Sequence, residues 1–462
     1  MNTLANIPPL STFGTPAAQA GPGGANSVIT GTLTLLATFH CISCRCKFTG
    51  DANNNATATL EYKRTADPTW LSAYTPIVDR RATTAGGLDN TAWRYEVRGS
   101  IVGLTPNTSY DVRVTFSDSN CVNGTNPVTG VIYTLNLTAP ATGTTVYVDG
   151  DQGLEGDGTS GNPYKTITNA ITNTVAGDTI LVRDAATPYA ALTISVSGTT
   201  SQFRILKADA ANTPNMAAGA ADNLIINGNY WEINGFTLDP SVESSVRIGA
   251  DQHHIFIRSC DATNLATAVP SVFNSAFVEV GTGGNNIYII SNTIARTSTN
   301  QTADVDAIRL TDGTSHTIVT SSNTISGEFA DPIGNAANSV TGSLENCDFS
   351  TNTISGWVDD GMELDGGLVN ARSWGNSLTS STSRGNFSLS HAPVLQGPYY
   401  CFRNVVISGW SEGLKQGNGA DGFAFIFHNT LDITVGGSRG ITEAGGTPNS
   451  EYQTYRNNIW KT

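Results

Sequence analysis

The residues with the clearest chemical potential form an acidic patch of four carboxylates within seven positions. The patch consists of Asp359, Asp360, Glu363 and Asp365. Carboxylates this close together stay ionised only at a high free-energy cost unless a cation neutralises them. One interpretation is a calcium site, since Ca²⁺ prefers hard oxygen ligands. A second is an acid/base pair for glycoside hydrolysis, and the plainest is that Asp360 caps a turn by accepting backbone N–H groups.

Two cations and two tryptophans complete the set of candidate site residues. The candidate catalytic residues are Asp360, Glu363 and Lys415, and the candidates for contacting a substrate are Trp357, Trp410 and Arg309. An exposed Trp beside acids can stack on a sugar face, although a Trp at a turn can also simply cover an apolar edge. Lys415 could remove a proton from a substrate, but a solvated lysine is the plainer interpretation.

A repeat places these residues along the chain. An alternating strand, an Asn and a short apolar exit recur at steps of 24 to 31 residues. The repeated asparagines are Asn292, Asn323, Asn352, Asn376, Asn404, Asn429 and Asn457. Repeats of about 20–45 residues that bury one face per unit are typical of a solenoid. We therefore predict that these asparagines stack in one ladder, with each amide bonded to its neighbours.

Each repeat carries a second motif downstream of its Asn, with the pattern acid, small, apolar, variable, apolar. Its apolar position predicts an inward stack of Ile308, Ile333, Met362, Phe387, Leu414 and Ile441. Because side chains alternate along a strand, the next residue in each repeat points outward. The predicted outward column is Arg309, Gly334, Glu363, Ser388, Lys415 and Thr442. Neighbouring rungs lie about 4.8 Å apart, so Lys415 and Glu363 are separated by roughly 10 Å, too far for direct pairing.

The start of the repeat region resembles a known family. Asn162-Pro-Tyr-Lys-Thr-Ile167 predicts a helix and Gly177-Asp-Thr-Ile-Leu-Val182 a strand. This succession resembles the N-terminal cap of secreted right-handed parallel β-helix proteins of the pectate-lyase-like group. The resemblance implies a right-handed parallel β-helix over residues 146–462, closed by a short capping helix, with a polysaccharide as its partner. In lyases of this group, Ca²⁺ or a basic residue neutralises a uronate and Lys or Arg removes a proton. Lys415 and Arg309 match by residue type only, and no full lyase motif is present.

The residues before the solenoid predict a separate domain. Short alternating strands separated by turn clusters over residues 27–137 indicate a β-sandwich. The segment Leu104-Thr-Pro-Asn-Thr-Ser-Tyr110-Asp-Val-Arg-Val114 resembles the fibronectin type III corner, which implies a buried Tyr110 bonded to backbone a few residues upstream. Residues 1–26 are interpreted as an extended arm or linker, and residues 138–145 as a second linker. The expected fold class is therefore all-β.

Composition supports this fold class and excludes several functions. The 462 residues include 48 Gly and only 13% charged residues, a mixture that suits short strands and tight turns. The net charge of −14 argues against nucleic-acid binding, which needs a basic footprint. It also makes an anionic polymer a poor ligand unless a cation bridges the two. No window approaches the roughly 18 apolar residues of a membrane span.

The seven cysteines are an odd number with an uneven distribution. Cys41, Cys44 and Cys46 lie together on a strand-like run, where Cys44 and Cys46 share one side. We expect a disulfide from this cluster to the distant Cys121, with buried thiols and a metal site as alternatives. The three other cysteines are isolated in apolar strands and predict core positions: Cys260, Cys347 and Cys401.

Two hypotheses of function follow from these observations. The first is an extracellular or cell-surface protein that binds, and in its stronger form cleaves, a polysaccharide along the outward column, with Ca²⁺ as the one cofactor considered. The alternative is a non-catalytic structural protein of a surface filament, sheath or virion, assembled with copies of itself through its arm and sandwich domain. The start of the chain lacks the basic and apolar regions of a classical signal peptide.

Overall fold

The protein is almost entirely β-structure. The computed structural model describes residues 25–81, 95–219, 221–239, 243–263, 275–296, 305–311, 315–335, 343–364, 367–380, 387–389, 397–408, 412–417, 422–433, 439–444 and 453–461. Within these residues, two sheets of mainly antiparallel strands at the N-terminus are followed by three long parallel sheets. The predicted class, an all-β chain ending in a right-handed parallel β-helix, is confirmed.

The two N-terminal sheets form the sandwich. The first, called the inner sheet, has in spatial order the strands Ile77–Asp79, Glu96–Val102, Cys41–Gly50, Val28–Ala37 and Val122–Asn123. The second, called the outer sheet, has the strands Leu71–Ser72, Thr57–Arg64, Ser109–Ser117 and Val128–Tyr133. Inward side chains of both sheets share one apolar core, which the period-two alternation of these strands produces.

Tyr110 lies where the sequence predicts it. The residue is 3% exposed, and its hydroxyl oxygen accepts a hydrogen bond of 3.0 Å from the backbone N–H of Thr105. This bond ties the start of one strand to the loop five residues upstream and leaves no buried polar group unsatisfied at that corner. The prediction for Tyr110 is confirmed, and the assignment of the sandwich to the fibronectin type III class remains a prediction.

Three parallel sheets run the length of the solenoid. The first contains Thr145–Val148, Thr179–Val182, Arg204–Ala208, Trp231–Asn234, His253–Arg258, Asn285–Ile290, Ser315–Ser321, Asp348–Ser350, Ala371–Trp374, Tyr399–Phe402, Ala424–Phe427 and Gln453–Arg456, with Ser343–Glu345 and Gly367–Val369 beside this path. The second contains Leu192–Ile194, Leu224–Ile226, Ser244–Ile248, Ser275–Val280, Val305–Leu310, Ile333–Asn335, Met362–Glu363, Phe387–Leu389, Glu412–Gly417 and Arg439–Ala444. The third contains Asn215–Met216, Thr237–Leu238, Asp261–Thr263, Thr293–Ala295, Thr324–Phe329, Thr353–Trp357, Ser377–Ser380, Val405–Ser408, Thr430–Ile433 and Ile459–Lys461.

A short helix, Ile167–Thr172, lies at the N-terminal end of the solenoid, as predicted. The side chain of Thr166 caps it by accepting a hydrogen bond from the backbone N–H of Asn169. Ile167 and Ala170 on its buried face join the solenoid core. The helix contacts the first two strands of the first sheet, where it covers apolar side chains that the end of a solenoid would otherwise expose.

The predicted asparagine ladder is present, with one correction at its last rung. From Asn292 to Asn404, each Nδ2 donates to the Oδ1 of the next ladder asparagine at 2.9–3.0 Å and also to a backbone carbonyl. After Asn429, however, the next member is Asn458 and not Asn457. Asn457 has a φ of 51° and occupies the left-handed position before the ladder, as His428 does one rung earlier. Asn tolerates that conformation well, so two adjacent asparagines hide this register from the sequence.

The preferred prediction for the cysteines, a disulfide to Cys121, is wrong. All seven cysteines are buried thiols, so the predicted disulfide to Cys121 is not part of the structure. Cys44 and Cys46 share one side of their strand, as predicted, and face the sandwich core, whereas Cys41 faces the solenoid. The expected core positions are confirmed for Cys260, Cys347 and Cys401.

The inner sheet of the sandwich packs on the outward face of the first solenoid sheet. Phe39 lies 5.0 Å from Tyr288 between ring centroids, and Tyr74 lies 5.3 Å from Phe427. Phe402 stacks on Phe427 with an interplanar angle of 1°. Aromatic residues that repeat at one register position thus form a platform that the sandwich covers.

Charged residues are buried in the middle of this domain interface. The Arg45 guanidinium bonds both Glu96 of the sandwich and Glu345 of the solenoid, at 2.8–3.2 Å. Arg372 is fully buried, pairs with Asp348 at 2.5 Å and donates 3.1 Å to the hydroxyl of Ser100. These cross-domain bonds satisfy charges that neither domain could bury alone.

Candidate functional site

The second solenoid sheet presents the outward column that the sequence predicts. Gly334 is in register with Arg309 on one side and with Glu363 on the other, and Ser388 stands between Glu363 and Lys415. The inward stack is also confirmed, since Ile308 pairs with Ile333, and Leu414 stands between Phe387 and Ile441. The period of two therefore places both columns correctly.

Three aspartates stack at the turn where successive strands of this sheet begin. Asp306, Asp331 and Asp360 each precede their outward-column residue by three positions, so they occupy the same place in consecutive rungs. Their exposed fractions are 4%, 6% and 0%. The backbone N–H of Asp360 donates 2.9 Å to Oδ1 of Asp331, which fixes one rung against the next. Together with Glu363 they form a cluster of four carboxylates, called here the carboxylate cluster.

Asp331 is the member of the cluster with the most perturbed protonation. Burial raises the pKa of Asp331 well above 3.8, and the negative charges of Glu363, Asp306 and Asp360 raise it further. The hydrogen bond from the backbone of Asp360 opposes this change without cancelling it. Asp331 is therefore a carboxylic acid that holds its proton at a pH where an ordinary Asp has lost it.

Lys415 contradicts the expectation of a solvated lysine. Its Nζ lies 2.5 Å from Oδ2 of Asp360, and its side chain is only 15% exposed. Burial by itself would lower the pKa of Lys415, but the charge and hydrogen bond of Asp360, with Asp359 and Glu363 adding to them, raise it overall. The side chain reaches across the sheet to the turn, a diagonal path that rung spacing alone does not reveal.

The rim of the cluster is formed by Glu363 and Asp359. Glu363 is half-buried at its outward position, while Asp359 is exposed on the turn. Between Glu363 and Arg309 the column holds Gly334, which has no side chain. A Cβ added there would lie 3.2 Å from Oδ2 of Asp306 and 3.3 Å from Cβ of Asp331. The glycine thus lets the backbone approach the buried aspartates more closely than a residue with a Cβ could.

Two predicted substrate contacts are not where the sequence suggests. Trp357 is 0% exposed and stacks in register with Phe329 inside the solenoid, so it cannot lie against a sugar. Arg309 is 8% exposed and lies 3.4 Å from Asp306, so it is part of the cluster and not a free surface cation. Trp410 and Asp365 lie outside the described residues.

The predicted calcium site stays a prediction, because one of its four ligands, Asp365, lies outside the described residues. Among the residues that the structure describes, no group of three or more His, Cys, Asp or Glu side chains is arranged to hold a metal. The ammonium group of Lys415 already neutralises Asp360, where a calcium ion would be expected. Of the four predicted ligands, Asp360 is fully buried, Glu363 half-buried and Asp359 exposed.

Sequence reasoning missed Asp306 and Asp331 as members of the site. Both stand at the acid position of the second motif, one and two rungs before Asp360. The sequence therefore did indicate these residues, because three consecutive repeats carry an acid at the same position. Asp331 does cap the following turn, since it accepts the backbone N–H of Asp360, but three stacked carboxylates also repel one another.

Comparison with known proteins gives a likeness of fold. No protein-family model matches the chain, and no curated protein matches it by sequence. Among solved structures, pectate lyase Pel9A is 11% identical with a TM-score of 0.37, covering 66% of this chain and 80% of that one. A rhamnogalacturonan lyase is 11% identical with a TM-score of 0.34, covering 68% and 87%. The catalytic domain of a GH87 α-1,3-glucanase in complex with nigerose is 8% identical with a TM-score of 0.33, covering 93% and 92%.

Within the described residues, no helix has the length and apolar character that crossing a membrane requires.

Proposed function

We propose that the protein is a glycoside hydrolase that binds a polysaccharide along the outward face of its second solenoid sheet and cleaves it at the carboxylate cluster. The observation that carries this proposal is the stack of Asp306, Asp331 and Asp360 beneath Glu363 and Lys415. It sets Asp331, a carboxyl group whose pKa is raised, beside further acidic side chains, and hydrolysis of a glycosidic bond uses a pair of carboxyl groups.

Each residue has a distinct role in the proposed reaction. Asp331, whose pKa is raised by burial and by its acidic neighbours, donates a proton to the leaving glycosidic oxygen. Glu363, the half-buried carboxylate on the outward column, accepts a proton from the water that attacks the anomeric carbon, so a new C–O bond forms as the glycosidic bond breaks. Asp360 is fully buried and paired with Lys415, so it is a positioning residue that keeps a fixed negative charge beside Asp331.

Gly334 is the column residue next to the carboxylate cluster. A Cβ at this position would lie 3.2 Å from Oδ2 of Asp306 and 3.3 Å from Cβ of Asp331, so glycine lets the backbone approach these carboxyl groups closely. Arg309 and Glu363 flank it and are two rungs, about 10 Å, apart. In the proposed complex a sugar ring lies against this stretch of the column, with its glycosidic oxygen near Asp331.

A lyase reaction is less well supported. Removal of a sugar C–H proton requires a neutral amine or another base, and the pKa of Lys415 is raised by Asp360. The lysine therefore stays protonated at neutral pH and serves as the partner of Asp360. Calcium is not part of this proposal, because the ammonium group of Lys415 already neutralises Asp360.

The structural alternative is not favoured. The inner sheet of the sandwich is covered by the solenoid of the same chain, and this leaves that sheet unavailable for assembling a filament. The arm that this alternative also invokes, residues 1–26, falls almost wholly outside the described residues. With a polymeric glycan as substrate, we extend the proposal to an extracellular or cell-surface location.

The test is release of reducing ends from a panel of polysaccharides. We expect wild-type protein to be active, and Asp331→Asn or Glu363→Gln to lower the rate by about 10²–10⁴-fold, the usual contribution of a general acid or base. Asp432→Asn is the matched control, because Asp432 pairs with Lys461 on the third sheet, away from the cluster. Products with an unsaturated sugar at the new end would instead identify a lyase, and activity unaffected by both cluster variants would refute the assignment.

A further inference from the structure

Among the described residues, the second solenoid sheet carries more negative than positive groups along its outward face and the adjoining turns. This acidic face comprises the carboxylates Asp222, Glu243, Glu279, Asp306, Asp359, Asp360 and Glu363, the carboxylic acid Asp331, and the cations Arg247, Arg309 and Lys415. Arg247, Glu279 and Arg309 are consecutive in the outward column, so the charged strip continues upstream of the carboxylate cluster.

Every cation described on the acidic face is already paired. Arg247 bonds Asp222 at 2.9 Å, Glu243 at 2.6 Å and Glu279 at 2.9 Å. Arg309 is paired with Asp306, and Lys415 with Asp360. A ligand carboxylate would have to displace one of these partners and leave a partly buried protein carboxylate uncompensated, which is strongly unfavourable.

We infer that the polysaccharide recognised by this face is uncharged, and that polyuronates are excluded by charge. This inference rests on the proposed function and goes beyond it by naming the class of substrate. Recognition of a sugar carboxylate depends on an available Arg or Lys, preferably in a bidentate arrangement. Carboxylates that outnumber the cations instead suit neutral hydroxyl groups, which donate hydrogen bonds to them, and they repel a polyanion.

Binding, measured separately from cleavage, tests the inference. The Asp331→Asn variant is mixed with polygalacturonate and with uncharged polysaccharides that include α- and β-linked glucans, xylan and galactomannan. We expect at least one uncharged polymer to bind and polygalacturonate to bind at least about tenfold more weakly, a difference of about 1.4 kcal/mol. Added salt should strengthen the residual binding of polygalacturonate, because it screens repulsion; binding to a cationic site would weaken instead.

A charge-reversal substitution on the acidic face provides a second test of the inference. In the Asp331→Asn background, Glu279→Lys should increase polygalacturonate binding several-fold, whereas Glu61→Lys should not. Glu61 is a suitable control because it also pairs with an arginine, Arg113, but lies on the outer sheet of the sandwich. Tight, salt-sensitive binding of polygalacturonate by the parent variant would overturn the inference and leave the proposed hydrolase standing. Failure of every polymer to bind would refute the proposed function and the inference with it.

Discussion

At the scale of single residues, three aspartates in equivalent positions have three different surroundings. Asp306 lies beside Arg309, Asp360 bonds Lys415, and Asp331 accepts a backbone N–H while standing among other carboxylates. The same residue type at the same turn thus faces a cation in two rungs and other carboxyl groups in the third. Pairs of titratable groups whose surroundings drive their pKa values apart are typical of acid/base catalysis.

Asp331→Asn should stabilise the protein at neutral pH while removing its activity. Because the pKa of Asp331 is raised in the folded state, the unfolded chain loses this proton first as pH increases above 3.8. Stability contributed by this residue therefore falls as pH rises from that value through the folded pKa. Asn keeps the oxygen that accepts the backbone N–H of Asp360. Because Asn carries no charge, the variant does not lose stability in this way as pH rises. Thermal unfolding at several pH values should show a higher Tm for the variant at pH 7 and no advantage near pH 3.8; a lower Tm at pH 7 would contradict the assigned protonation.

Single residues also show how much of the site the sequence predicts. Periodicity and repeat spacing predict that Glu363 and Lys415 share an outward column, and the register confirms it. They do not predict that Lys415 pairs with Asp360, because a long side chain can cross two rungs diagonally. Nor do they reveal that Trp357 points inward, because its position at a strand end fits either a buried or an exposed ring.

At the scale of the repeated element, the asparagine ladder is the most specific device in the solenoid. Each ladder oxygen accepts two N–H groups from the previous rung, and each amide also donates to a backbone carbonyl. Beside the ladder, the chain turns from the first sheet into the third through residues with positive φ, such as Ser322 and Thr351. The ladder therefore satisfies polar groups that a turn would otherwise bury unpaired.

Asn352→Ala should destabilise the solenoid by about 3 kcal/mol or more. It removes the acceptor for two donors of Asn323 and a donor to Asn376, and each buried group left unsatisfied costs about 1–3 kcal/mol. The control is Asn457→Gly, which changes a residue that the sequence assigns to the ladder and the structure places in the left-handed position beside it. We expect that control to stay within about 1 kcal/mol of wild type, because Gly adopts this conformation freely. Denaturant unfolding measures both, and equal losses would restore Asn457 to the ladder.

At the scale of the whole molecule, the sandwich and the solenoid share a buried interface that is both aromatic and charged. Arg372 of the solenoid reaches Ser100 of the sandwich, and Arg45 of the sandwich reaches Glu345 of the solenoid. Asn370 adds a hydrogen bond of 2.7 Å to Ser43. The sandwich covers the first solenoid sheet, whereas the acidic face belongs to the second. The sequence predicts both domains but not this contact, since the aromatic and charged residues that make it lie hundreds of positions apart.

We therefore expect the two domains to unfold in one transition, and a change at their interface to destabilise both. Arg45→Ala removes the cation that pairs with Glu345, and leaving this buried carboxylate uncompensated costs about 3–5 kcal/mol, whereas Glu96 keeps its pairs with Lys47 and Arg98. Arg113→Ala is the matched control, because Arg113 makes a similar pair with Glu61 on the outer sheet, where such a pair contributes about 1 kcal/mol or less. Calorimetry should show one peak for all three proteins, shifted strongly only by Arg45→Ala. Two separate peaks in the wild type, or a loss confined to the sandwich, would mean that the interface does not couple the domains.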